Sequence, residues 1–182
     1  MRRPLGKHWG LRMVLEDHIE TWSSAVGPQQ KAERRRAAFK YFGIPAVLAL
    51  PFVFFHFRLQ GIGQLLSGVT IFTALLFGLL VLMFNTGIAV RKDLAVFEHA
   101  HDLKLVISDL RANVTYAAVV AVCLSLLLAV AAAVTPPPST TDPIGGLSWW
   151  WTPLCIWLFT HLGLTMLMVL RRLRTAFNYV SR

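Results

Sequence analysis

Charge is scarce in this sequence, and negative charge is scarcest. Only 15% of the 182 residues are Asp, Glu, Lys or Arg, and nine acidic residues stand against eighteen basic ones. A soluble domain carries roughly 25% charged residues. The deficit is segregated: residues 59–90 and 112–170 are almost without charge, and charges cluster elsewhere. A soluble core helix would show a charged outer face at every turn, so this pattern excludes an ordinary water-soluble bundle and predicts long stretches in hydrocarbon. Cysteine is also sparse. Cys123 and Cys155 both lie in apolar stretches without a CxxC partner, and are expected as buried free thiols. Nucleotide-binding loop, Ser-His-Asp set, zinc signature and intramembrane carboxylate pair are all missing. No catalytic residue, metal or cofactor is therefore expected. No cleavable leader is expected at the N-terminus, because residues 1–40 are charged and amphipathic.

The residues that are present have a mean hydropathy of +0.57, and they predict an all-α integral membrane protein with four transmembrane helices. The first span is expected from about Tyr41 to Phe57, with Pro45 and Pro51 inside it. Proline removes a helix N–H, and neighbouring helices can satisfy the carbonyls it frees. Arg58–Gly63 reads as a turn. The second span begins near Gly63, and no Gly or Pro interrupts the chain from Ile88 to Val134. The second helix is thus expected to continue to about Ala100. Such a helix would be about 55 Å long at about 1.5 Å per residue, well beyond a hydrocarbon core of about 30 Å. Asp102 is the expected N-cap of the next helix. Its stripe of Leu103, Val106, Ile107, Leu110 and Val114 leads into a third span over about Ala112–Val134. Helices two and three would then form a packed hairpin over 91–111, with Leu94 and Phe97 against that stripe. The outer loop, 135–151, holds three consecutive prolines and ends in Trp149, Trp150 and Trp151; tryptophan favours the membrane boundary. The fourth span is expected over about Thr152–Leu170, followed by a basic tail, 171–182.

Ahead of the spans, residues 1–40 form an N-terminal segment. Leu11, Val14, Leu15, Ile19 and Trp22 fall on one face of an amphipathic helix over 11–22. Its polar side sets Arg12 against Glu16, Asp17 and Glu20. That balance suits anionic lipid poorly, so Leu11, Leu15, Ile19 and Trp22 are expected to dock on protein. Gly27-Pro28 breaks the chain before a basic juxtamembrane stretch, 31–40. Seventeen of the eighteen Lys and Arg residues fall on one side of the four-span layout, with Arg58 alone on the other. The positive-inside rule makes that side cytoplasmic, with both termini inside. The excess of Arg, Ala and Leu suggests a GC-rich bacterial genome, and hence an inner membrane.

Polar residues in or beside the spans are the candidate functional positions. An ionisable residue at membrane depth is a site hypothesis by default, which selects His161, with a neutral histidine bonded to a neighbouring helix as its structural reading. His56 lies near the outer end of the first span. It could pair with His161 on a haem only at similar depth, and the two are about 13 Å apart in depth at helical rise. Asn85 could bridge helices or line a pore. His99 and His101 point to nearly opposite faces of a helix, so they are expected at a polar, docking hairpin tip and not on a metal. Ala129–Ala133 offers a small-residue surface for close helix approach.

The expected function is non-catalytic: a small polytopic membrane protein that self-assembles and is controlled through its cytoplasmic helices, as an effector or channel. The alternative is an accessory or scaffold subunit of a larger membrane complex, and the third reading is an intramembrane enzyme or transporter using His161. The expected partners are the lipid bilayer and a second copy or another membrane protein. The basic charge lies beside apolar spans and not on a domain of its own, so no nucleic acid is expected.

Overall fold

The computed structural model of the chain describes residues 10–22, 28–92, 100–135 and 147–180. Six helices account for these residues, with no strand among them: α1 (Leu11–Glu20), α2 (Pro28–Ala38), α3 (Ile44–Phe54), α4 (Ile62–Lys92), α5 (Ala100–Val134) and α6 (Trp151–Val180). A π-helical turn, Phe39–Gly43, joins α2 to α3. Four helical segments are long and apolar enough to cross a membrane: Gln29–Phe54, Ile62–Ile88, Val106–Val134 and Trp151–Arg174. The molecule is a helical bundle suited to a membrane.

The first span differs from expectation at both ends. It does not begin at Tyr41 but continues the basic helix α2 through the π turn, and it stops at Phe54. The sequence accounts for the irregular turn. In a regular helix the Tyr41 carbonyl would accept from the N–H of residue 45, but residue 45 is proline, which has no N–H and whose ring crowds that carbonyl. The ladder slips by one residue there, the usual form of a π bulge. At the other end His56 has φ 52° and Gly61 has φ 66°. This is the left-handed region, where histidine is uncommon but tolerated in turns.

The second helix is described as far as Lys92. Leu94, Phe97 and His99 lie outside the described residues, and so does the tip of the expected hairpin. The described part of the next helix begins at Ala100, so Asp102 lies inside the helix and is not its N-cap. α6 starts at Trp151 and runs through the expected tail to Val180.

α5 is the centre of the bundle. It packs between α4 and α6, α3 packs on α6, and α1 packs on α5 beside Asn113 and Tyr116. Ala117, Ala118, Ala121 and Ala131 are buried on α5, and small side chains let helices approach closely. Of the Ala129–Ala133 surface only Ala131 is buried; the rest of that stretch faces outward. Cys155 is buried and Cys123 is exposed, both as free thiols; the sequence expectation had both inside. The two ends of the bundle are distinct. At one, Leu147 N–H donates to the Leu59 carbonyl at 3.0 Å, and Leu59 N–H to Thr152 Oγ1 at 3.2 Å. At the other, α1 meets α5 beside Asn113 and Tyr116, and Arg172 of α6 reaches Thr21 at the end of α1.

Candidate functional site

The polar residues of the bundle converge where α1, α5, α6 and the π turn meet. α1 is short, and at ten residues it is marginal as an isolated helix; its tertiary contacts must hold it. Its one buried side chain is His18, with no exposed surface. His18 Nδ1 lies 2.7 Å from Asn113 Oδ1 on α5, and Trp22 Nε1 donates to His18 Nε2 at 3.2 Å. An indole N–H can only donate, so Nε2 must accept and the ring proton belongs on Nδ1. Asn113 is fixed in turn: its Nδ2 donates to the Asp109 carbonyl at 2.8 Å, leaving Oδ1 to accept from His18 and from Thr21 Oγ1 at 3.0 Å. The His18 ring stacks on Tyr116, with centroids 3.9 Å apart and planes at 9°.

All these contacts describe a neutral imidazole. Burial is the main cause that pushes its pKa down to about 4. The bond to Asn113 works against the shift, while the positive field of Arg172 adds to it. A proton on Nε2 would set one N–H against another at Trp22.

His161 occupies the next layer. Its Nδ1 is 2.9 Å from the Tyr41 carbonyl, and its Nε2 is 2.8 Å from the Tyr116 hydroxyl. A carbonyl only accepts, so Nδ1 donates and Tyr116 O–H donates to Nε2. His161 therefore supplies the hydrogen bond that Pro45 denies to Tyr41. Phe42 stacks on His161 at 4.8 Å, and Trp157 does so at 5.6 Å. His18 and His161 both contact Tyr116, but His18 stacks on its ring and does not bond its hydroxyl, so no unbroken hydrogen-bond chain links the two.

Arg172 closes the cluster from α6. It pairs with Asp109 at 2.5 Å and donates to the Thr21 carbonyl at the end of α1. The lock on α1 thus has two parts: a neutral layer of His18, Asn113 and Trp22, and a charged layer of Arg172 and Asp109.

Other sequence-derived positions lie elsewhere. Leu11 is 69% exposed and Leu15 38% exposed, while Ile19 and Trp22 are half-buried. Within this chain α1 is seated by His18, while Leu11 and Leu15, on the same stripe, stay exposed. His56 lies in the turn after α3, with its ring 4.5 Å from that of Trp149, at the opposite end of the bundle from His18. Asn85 is exposed on α4, so it does not bridge helices within the chain. His101 lies on α5. Among the described residues no three His, Cys, Asp or Glu side chains converge as a metal site.

Family models, curated proteins and solved structures give no match to this chain.

Sequence reasoning missed His18, Asn113, Tyr116 and the Arg172–Asp109 pair. A signal for the first two was present. His18 lies at offset 7 from Leu11, on the same stripe as Val14 and Trp22. Asn113 lies three residues after Leu110, on the buried stripe of α5. A polar residue on an otherwise apolar stripe asks for a partner, and these two are each other's partner.

Proposed function

We propose that the chain is a non-catalytic membrane protein that self-assembles and is controlled through α1, acting as a membrane effector or channel. The observation that carries this reading is His18. The only buried side chain of a short, peripheral helix is bonded to the central span and stacked on Tyr116, which itself bonds His161 inside the bundle. A change at α1 therefore reaches α5 and α6 through direct contacts. Asn85 supports self-assembly: an amide on the outer face of a span gains from a partner helix, by about 1 kcal/mol in model systems. The gathering of Arg111, Arg171, Arg172 and Arg174 at the α1 end supports an orientation with both termini in the cytoplasm, in a bacterial inner membrane. The continuous helices α4 and α5 are read as the arms of a cytoplasmic hairpin.

Exposed Leu11 and Leu15 favour the second reading, an accessory subunit. They are one turn apart and exposed on α1, and offer an apolar contact to another protein.

The test is reconstitution of the full chain alone in liposomes. A channel or effector releases entrapped ions, and Asn113→Leu, which unseats α1, changes the rate several-fold. An accessory subunit leaves the liposomes tight and co-purifies with a partner, and Leu11→Asp with Leu15→Asp abolishes that capture.

A further inference from the structure

Beside the α1 lock lies a cavity of about 730 Å³ that the proposed function does not use. Its walls come from three places: Thr21 and Trp22 at the end of α1, Lys40 and Tyr41 in the π turn, and Leu164, Leu167, Met168 and Arg171 on α6. Glu20, Asp109 and Arg172 also reach it. Its size is that of a small-molecule site.

Four observations narrow the occupant. The cavity sits where two candidate spans change from apolar to basic, at Lys40 on one and Arg171 on the other. Its lining has two characters: cations at one side, and at the other an apolar floor that opens outward through Leu167, which is 63% exposed. The charge balance of the lining is positive: Lys40, Arg171 and Arg172 stand against Glu20 and Asp109, with Arg172 paired to Asp109. Trp22 and Tyr41 stack beside it, centroids 5.6 Å apart, and such rings favour the headgroup level. A free phosphate would use the cations and ignore the floor. A fatty chain would do the reverse.

We propose that this cavity binds an anionic phospholipid, with its phosphate between Lys40 and Arg171 and its acyl chain along Leu164, Leu167 and Met168. Basic pockets between helices at a membrane surface suit such headgroups. Because Thr21 and Trp22 form one wall, the bound lipid also ties the end of α1 to α6. The proposal rests on the chain being embedded in a bilayer, and on neither functional reading above.

The test uses the full chain, purified in detergent and stripped of lipid, with phosphatidylglycerol, phosphatidylcholine and inorganic phosphate as probes. Native mass spectrometry counts retained lipid, and a thermal melt reads its effect. Phosphatidylglycerol should stay bound and raise Tm, because a ligand of the folded state stabilises it; phosphatidylcholine and inorganic phosphate should not. Lys40→Gln with Arg171→Gln should weaken phosphatidylglycerol binding by about thirtyfold, at about fivefold per cation. The charge-matched pair Arg35→Gln with Arg36→Gln, outside the cavity, should leave it unchanged, and Lys40→Arg with Arg171→Lys should retain it. Equal binding of the two lipids overturns the proposal. So does equal loss in the cavity and control pairs, or full replacement of the lipid effect by inorganic phosphate. Should the cavity pair fail to fold, a photoreactive phosphatidylglycerol decides on the unaltered chain: labelling of the 164–171 peptide supports the site, and its absence overturns it.

Discussion

His18 is a titratable residue used as an apolar wedge, and this makes it sensitive to acid. Its pKa is about 4 when seated and about 6.5 in water. Between those values the released ring takes up a proton that the seated ring refuses. Seating is therefore fully stabilised above about pH 6.5 and weakens as pH falls toward 4, by up to about 3 kcal/mol. The groups facing His18 reinforce the direction, since Arg172 opposes a new positive charge; Asp109 is held by Arg172, and Asn113 and the neutral His161 carry no charge. Hydrogen-exchange protection over residues 11–22, in detergent at pH 7.5 and 5 and corrected for the intrinsic pH dependence of amide exchange, should fall at least tenfold at the lower value. His18→Gln, which keeps polar contacts without titrating in this range, should remove the pH dependence. Unchanged protection at pH 5 would show that α1 is held by other contacts. Asn113→Leu should act at neutral pH, because it leaves the His18 Nδ1–H buried without an acceptor at a cost of about 1–3 kcal/mol.

At the level of helices, the sequence disclosed the long regular elements and concealed the irregular ones. The four spans were legible because apolar length is a bulk property and tolerates uncertain ends. The start of the first span was not, because basic residues look like a boundary even where the helix continues through them. The helix α1 was legible, but the buried member of its stripe, His18, was passed over by weighting Leu above His. Hydrophobicity ranked Leu11 and Leu15 first, whereas a complementary amide at Asn113, ninety-five residues away, gives His18 the buried place on that stripe. No local pattern contains that pairing. Pro45 was noticed as a source of free carbonyls, and only the fold shows that His161 meets the one at Tyr41. This bond is open to test. His161→Phe keeps a ring of similar reach but deserts both Tyr41 and Tyr116, and should lower stability in detergent by about 2–4 kcal/mol, read as a fall in Tm. On α4, Asn85→Leu should reduce cross-linking between copies while leaving the monomer's melt unchanged; equal cross-linking would remove Asn85 from the interface.

Across the whole molecule, the charge asymmetry makes a topological prediction. In a background without Cys123 and Cys155, Ser139→Cys should react with an impermeant maleimide added outside intact cells. Ala100→Cys and Ser181→Cys should react only after permeabilisation. Labelling of residue 100 from outside would reverse the orientation. The π turn bears on the same global arrangement as a matter of phase. Each residue advances a regular helix by about 100°, so the slipped register at Phe39–Gly43 sets the rotational position of everything before it relative to α3. Deleting one residue from that turn would swing the whole of α2 around the helix axis while leaving α3 and the other three spans intact. The chain would still insert, but its basic arm would present a different face to the rest of the molecule. A single-residue deletion there is thus a rotation of one part against another, and not a shortening.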